Sequence, residues 1–401
     1  MPIRVGYIRA RYPEIRNIIH RSKKDTQYVQ IGKWHNRRLF LSRAWDILKG
    51  RILRKHIPIN WDVHAVFKTP ARRDVDVIHT FNAVCDTPVP WVCTFETAVP
   101  RTRGTTSGNW QEGKREVDAF TKKAFKLLRR KNCSALIAIS EANKNIQLDR
   151  MERLGIEGRE EIAEKLLVLP PPQPVLITEA QLHEKFATVE ECVEFIFVGG
   201  HFFRKGGAQV IDSLKRFVQQ GYKLHLTVIS SLGYGDYASH TTVNDMLQYK
   251  KVLISESWIT WYEHLPNAQV LELCKKAHIG LLPTFADTYG YSVLEMQACG
   301  CPVITTDVRA LPEMNNTRCG YIFSVPKYPS TEAIYDTKEG LANLKAAVSA
   351  GLDAAFAEIL ACPSALREKA VAAVQKIATD HSPDAYAMKL SEIYERAVHH
   401  T

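Results

Sequence analysis

The chain reads as an α/β protein built on two doubly wound parallel sheets, and three observations carry that expectation. Short apolar runs alternate with stretches of helical spacing along most of the 401 residues, the pattern of strand-helix units whose strands pair in parallel. Leu166 to Val175, LLVLPPPQPV, runs from a strand into prolines that no helix crosses, a stiff connector between two halves each long enough for its own core. Composition agrees, with 45% hydrophobic, 9% aromatic and 24% charged residues, the balance of a globular protein. We expect a first Rossmann-like domain over 1–170, a second over 171–380 and a closing segment over 381–401.

In chain order, strands are expected at Arg4 to Ile8, Val77 to Phe81, Trp91 to Phe95 and Ala135 to Ser140. Beyond the connector, Glu194 to Val198 and Leu224 to Ser230 read as strands, and Ala208 to Gln219 and Val270 to Ala277 as the helices between them. Ile279 to Leu282 is a buried strand, Tyr291 to Cys299 a helix stopped by Gly300 and Pro302, and Val303 to Thr306 the next strand. Pro383 to His399 closes the chain as a helix. There is no internal repeat and no run of eighteen apolar residues, and the opening MPIRVGYIRARYPEIR scatters charge where a secretory leader needs an unbroken apolar core. A cytoplasmic chain is expected. Nine cysteines without repeating spacing argue for reduced, mostly buried thiols, and Cys299-x-Cys301 has no nearby His or Cys to complete a metal site.

The net charge of +10 is concentrated between Ile15 and Lys55, which holds twelve Lys or Arg against Asp25 and Asp46. Leu41, Ala44, Trp45, Leu48, Ile52 and Leu53 recur there at helical spacing among Arg43, Lys49, Arg51, Arg54 and Lys55, a basic amphipathic helix; Lys114 to Lys131 is a second such stretch. Two readings stand side by side: a helix on anionic lipid, at the inner face of a membrane, or a surface helix packing its apolar side on its own domain. A polyanionic acceptor or RNA would also answer the charge, but no RNA-binding motif or aromatic stacking pattern accompanies it, so nucleic acid ranks last.

Two segments carry chemistry. Pro283 to Asp307, PTFADTYGYSVLEMQACGCPVITTD, sets Asp287 and Glu295 eight residues apart across a glycine-bearing turn that opens a helix. Free amides around Gly290 to Ser292 and the helix dipole suit an anion, a diphosphate for example. Gly290 admits a ligand close to the backbone, and Glu295, one turn beyond Tyr291, can bond a vicinal diol. Phe197 to Gly207, FVGGHFFRKGG, runs from a strand end through Gly199 and Gly200 to the cations Arg204 and Lys205 and then into a helix. Cations there would meet the charge that grows on a leaving phosphate.

These residues resemble the nucleotide-sugar site of the retaining glycosyltransferases of the GT-B fold, in the large family four, whose motif is Glu-x7-Glu followed by a small-residue helix and Gly-x-Pro-Val. The resemblance implies a hexosyltransferase-type enzyme with two Rossmann-like domains across a cleft, the donor in the second domain, the acceptor in the first, and the final helix returning to the first domain. It implies that Glu295 holds the ribose hydroxyls, that Asp287 and the amides of Thr288, Tyr289, Gly290 and Tyr291 hold the transferred sugar, and that the helix start at Ser292 faces the diphosphate. Asp287 stands where the family has Glu, which leaves the sugar open. Lys205 matches the family's phosphate-facing Lys, while Gly200 occupies the place of its Arg, and Arg204 is expected to substitute. In the first domain Trp91-Val92-Cys93-Thr94-Phe95-Glu96-Thr97 is similar to the family's strand ending in Thr-Phe-His-Thr, with Glu96 at the His position. A carboxylate there can bond sugar hydroxyls, steady positive charge at the reacting sugar or accept a proton.

Trp261 sits where the family's base-binding strand is expected, and family members read the base mainly through backbone groups, so uridine and guanosine donors stay open. No cofactor and no metal is expected: Asp74-Val75-Asp76 imitates a metal motif but precedes its strand, the histidines lack helical ligand spacing, and His399-His400 reads as a frayed end. The partners implied are a nucleotide-sugar donor, UDP or GDP linked, and a saccharide or lipid-linked acceptor. Two rival readings are a sugar-nucleotide epimerase or phosphorylase on the same fold and a non-catalytic membrane- or RNA-binding relative.

Overall fold

The computed structural model describes residues 2–54, 65–101 and 117–399, with the backbone alone at 33–36. It divides into two compact units, one of 1–172 with 383–401, the other of 173–382. In the first, the strands are β1 (Arg4–Tyr7), β2 (Gln27–Gln30), β3 (Val66–Lys68), β4 (Val77–Phe81), β5 (Val84–Asp86), β6 (Trp91–Phe95), β7 (Cys133–Ala138) and β8 (Leu166–Val168). Six of them form one sheet in the order β2-β1-β4-β6-β7-β8, and β3 pairs with β5. Every pairing is parallel. β6 is wholly buried, as a central strand covered on both faces must be.

The second unit repeats the plan. Its strands are β9 (Val193–Val198), β10 (Leu224–Ile229), β11 (Ile259–Tyr262), β12 (Ile279–Leu282), β13 (Val303–Thr306) and β14 (Gly320–Phe323), in the order β11-β10-β9-β12-β13-β14. β9 and β12 are adjacent, and their register pairs Phe197 with Leu281, so both strands release the chain at the same sheet edge. Gly280 lets the helix Tyr291–Ala298 close on β12, since a Cβ there would come within 3.2 Å of the Met296 Cβ. Local signals start several helices: Thr178 and Gln181 form a capping box, as do Thr242 and Asp245, and Ser140 and Thr337 accept the amides of Asn143 and Gly340. Sequence pattern missed β2, β14 and the helices Val243–Ser255, Lys338–Ala361 and Leu366–Asp380.

The helix Pro383–His399 belongs to the first unit. Tyr386, Leu390, Ile393, Tyr394 and Ala397 pack on Val5, Val77, Val92 and Ile137, one face of its sheet. Within that contact His79 of β4 is fully buried, with Nδ1 2.7 Å from the Tyr394 hydroxyl and Nε2 2.8 Å from Thr94 Oγ1. Each basic stretch contains a helix, and the two behave oppositely. Ala119–Arg129 buries Ala124, Phe125, Leu127 and Leu128, an ordinary surface helix on its own domain. Lys33–Leu53 has no buried residue from Arg37 onward, so of the two readings of this stretch the one that packs its apolar side on its own domain is not what the structure shows. Lys55 and the start of the second stretch lie outside the described residues. No single helix among the described residues is long and apolar enough to cross a membrane. All nine cysteines are free thiols, seven of them buried, and Cys301 Sγ donates to the Cys274 and Ala277 carbonyls at 3.0 and 3.2 Å.

Burial lowers the His79 pKa to about 3, far below the unfolded value of about 6.5. Between those values the unfolded chain binds a proton that the folded chain refuses. Stability should therefore fall as pH drops below about 6.5, with a slope of about 1.4 kcal/mol per pH unit from this residue alone. Urea unfolding at stepped pH should show His79→Gln losing that part of the slope; an unchanged slope would refute the assignment.

Candidate functional site

The site is built where the loops after β9 and β12 meet. β9 continues to Gly199, whose amide bonds the Ile229 carbonyl at 3.0 Å. The loop then turns back on itself through Lys205 N to His201 O, Gly206 N to Phe203 O and Gly207 N to Phe202 O, all at 2.9–3.0 Å. Gly206 has φ +80, and a Cβ there would strike the Pro283 carbonyl, so a glycine is required where this loop crosses the other. Gly199 is required for a different reason. A Cβ on it would lie 2.9 Å from Lys205 Cε and 3.1 Å from Nζ, so the lysine stem runs across the bare glycine backbone.

The second loop is zipped to the first. Phe285 N and Thr284 Oγ1 donate to the Arg204 carbonyl at 2.9 and 3.2 Å, and Arg204 Nη1 donates to the Ala286 carbonyl. Asp287 follows, with Oδ2 3.3 Å from Lys205 Nζ and both side chains about five-sixths buried. Burial pushes the Asp287 carboxyl up, but the charges of Lys205 and Arg204, the close Lys205 contact and the bond from the Tyr289 amide outweigh it and hold it below the usual carboxylate range. The aspartate is therefore ionised. Burial, with Arg204 and Lys205 adding to it, lowers the His201 pKa, leaving the imidazole neutral beside the cations. The Asp287 Oδ2 contact to Lys205 is ionic without hydrogen-bond geometry, and Ser292 Oγ is a second buried oxygen without a partner.

Gly290, at φ +95, caps the helix Tyr291–Ala298 and leaves 2.9 Å between a notional Cβ and Leu311 Cδ2. Its left-handed turn aims the first amides of that helix out of the loop. The Tyr289 and Tyr291 rings pack with centroids 5.2 Å apart, Thr288 lies between Asp287 and that pair, and Glu295 follows one turn along the same helix. Arg204, Lys205, Gly199, Asp287 and the helix start are thus assembled together. Gly200 serves through its backbone, its carbonyl accepting from Gly233 N at 2.9 Å and Ser231 Oγ at 3.1 Å. Trp261 lies on β11, two strands from β9, with Nε1 donating to the Ser230 carbonyl at 2.9 Å and Lys250 over its ring at 5.7 Å. Its indole N–H is already committed.

Sequence reasoning missed a support behind Arg204. The Tyr237 ring lies 5.7 Å from that guanidinium and packs edge-on against Tyr335, whose hydroxyl donates to Glu332 at 2.8 Å. Arg309 Nε completes the set with a 2.5 Å bond to Glu332, both side chains being buried. No local motif signals a pair 23 positions apart. In the first unit, Glu96 stands just past β6 with Oε1 accepting from Arg101 at 2.6 Å and from Asn82 at 3.2 Å, while its amide donates to Asn82 Oδ1 at 3.1 Å. Gln147 and Arg150 pin the loop between them by bonding Val99 N and Pro100 O at 2.8 and 2.7 Å. The ion pair with Arg101 was not foreseen. Asp74 and Asp76 are each occupied by an arginine, Arg72 at 2.5 Å and Arg4 at 2.7 Å.

Residues 193–337 match the family model of the group 1 glycosyl transferases. Over 201 residues the chain is 24% identical to a glycogen synthase of Mycobacterium tuberculosis, a match covering 50% of this chain and 42% of that protein; it thus spans less than half the length of that relative. A glycosyltransferase from Rickettsia africae superposes over the whole of both chains with a TM-score of 0.59 at 14% identity. Anabaena HepE, solved with UDP and glucose, superposes over 97% of this chain and 98% of its own with a TM-score of 0.54 at 11% identity. The segment that carries the Lys205–Asp287 junction thus resembles the group 1 glycosyl transferases, and the superposed structures share the GT-B fold of this chain.

Proposed function

We propose that the protein is a glycosyltransferase that takes a sugar from a nucleoside-diphosphate donor held by the second unit and passes it to a hydroxyl acceptor, with retention and without a resident metal. One arrangement carries the proposal: Lys205 and Arg204, braced at the carboxyl ends of β9 and β12 beside the Gly290-capped helix, with Asp287 ionised between them. The matched family and the UDP complex of a protein with this fold support the same donor class.

In this reading the bond between the anomeric carbon and the diphosphate oxygen breaks while the acceptor oxygen bonds that carbon. The electron pair leaves on the diphosphate, where Lys205, Arg204 and the helix amides meet the new charge, and the acceptor's proton passes to the leaving phosphate oxygen. Interactions that strengthen only as that charge develops lower the barrier. Asp287 keeps Lys205 in place and accepts from a sugar hydroxyl, and Glu295 bonds the ribose diol. Glu96, held by Arg101 and Asn82, serves as a fixed hydrogen-bond acceptor for sugar hydroxyls. Synthesis of a cell-surface glycan or glycolipid suits such an enzyme, and a lipid-linked acceptor would bring it to the cytoplasmic face of a membrane.

A ligand that binds only the folded chain raises its melting temperature. Among UDP, GDP, ADP and their sugar conjugates, one nucleotide should give a clear shift that Glu295→Ala abolishes; no shift with any of them would overturn the donor assignment. Arg204→Ala and Lys205→Ala should each slow turnover about 10²-fold or more, the scale of losing one charge-stabilising donor, whereas Arg367→Ala at an exposed site should not. Equal losses in all three would remove Arg204 from its role. Glu96→Gln should lower the rate while leaving the anomeric configuration of the product unchanged by NMR, and an inverted product would show that the carboxylate, rather than the donor site, sets the stereochemistry.

A further inference from the structure

The helix Lys33–Leu53 presents its two faces in the order opposite to that of an ordinary surface helix. Leu39, Ser42, Asp46 and Gly50, successive turns of one face, are half-buried. Leu41, Trp45, Leu48 and Ile52 occupy the opposite face at the same spacing and are 66%, 56%, 47% and 69% exposed. A helix that turned its apolar stripe to its own domain would gain the hydrophobic free energy of those side chains. Here the half-buried face carries Ser42, Asp46 and Gly50 with Leu39 as its single apolar member, and the apolar stripe is left to whatever lies outside.

The flanks say what that is. Arg37 and Arg51 run along one side of the stripe and Arg38 and Lys49 along the other, with Arg43 and Arg54 further round. The Lys49 ammonium sits 5.3 Å from the Trp45 ring centroid, at the edge of the apolar stripe. Asp46 is the acid within the helix, and it lies on the half-buried face. An apolar stripe with a tryptophan, bordered on both sides by cations, matches the boundary between acyl chains and anionic headgroups.

We propose that Lys33–Leu53 docks the protein on an anionic lipid surface, lying in the interfacial plane with Leu41, Trp45, Leu48 and Ile52 inserted and Arg37, Arg38, Lys49 and Arg51 on the headgroups. The inference stands on this helix alone and does not depend on the donor site.

The experiment is flotation with vesicles of pure phosphatidylcholine and of phosphatidylcholine with phosphatidylglycerol, at low and high salt, alongside light scattering of the free protein. The protein should bind the anionic vesicles and not the neutral ones, less so at high salt. Trp45→Glu with Leu48→Glu should weaken partitioning at least about tenfold, and Arg37→Glu with Lys49→Glu should remove the preference for anionic lipid. Brominated lipid should quench tryptophan emission, and Trp45→Phe should lose that quenching. An unchanged melting temperature in the variants establishes that they fold. Absence of binding to anionic vesicles, equal binding by the double-glutamate variant, or concentration-dependent dimers that the variant dissolves would each overturn the proposal, the last by assigning the stripe to a second copy of the chain. Vesicle binding without any nucleotide-dependent shift would sink the transferase reading and leave this one intact.

Discussion

The contact between Lys205 and Asp287 is the constraint on which the second unit's edge is organised. Two charged groups so nearly buried are costly to desolvate, and their attraction offsets that cost only if both are held firmly. The loops supply the firmness through backbone groups: the Arg204 carbonyl receives Phe285 N and Thr284 Oγ1, and the Ala286 carbonyl receives Arg204. Two glycines make the approach sterically possible, Gly206 under the Pro283 carbonyl and Gly199 under the lysine stem. Parallel register of β9 and β12 delivers both loops to one place, which is why the edge of such a sheet, rather than its face, collects ligands. Arg204, caught between a carbonyl and the Tyr237 ring, is less free to move than its place in a loop suggests.

Much of this was readable from the chain. Asp287, Lys205 and the glycines lie in two contiguous segments whose periodicity changes from strand to helix across a turn, so local pattern is enough to place them at one sheet edge. Partners distant in sequence were not readable. Glu332 meets Arg309 and Tyr335 because the chain folds back after β14, and Arg101 reaches Glu96 because Gln147 and Arg150 hold the intervening loop. The Arg204 side chain was expected to replace a missing family arginine, and its bond to Ala286 shows it bracing the neighbouring loop. Alanine-rich Lys338–Ala361 lacks the contrast between faces that pattern reading needs.

The helix Lys33–Leu53 marks the opposite limit. Its helicity and its charge were legible, but the side its apolar face takes was not, and the rule that apolar faces turn inward would have given the wrong one. That rule encodes water as the only alternative to the protein interior. Where a different solvent is at hand, burial no longer predicts orientation, and the helix Ala119–Arg129, with a comparable load of cations and a properly buried face, shows that basic composition alone does not distinguish the two cases.

The order of the chain has a consequence for how the protein is made. The sheet of the first unit comes first, yet the helix that covers one of its faces comes after the entire second unit. On the ribosome, β1, β4, β6 and β7 must wait with that apolar face uncovered, and with His79 lacking the Tyr394 hydroxyl, while 173–382 is synthesised and folds. A nascent chain in that state keeps an apolar surface exposed until its last helix arrives, the condition under which incompletely folded chains associate with one another.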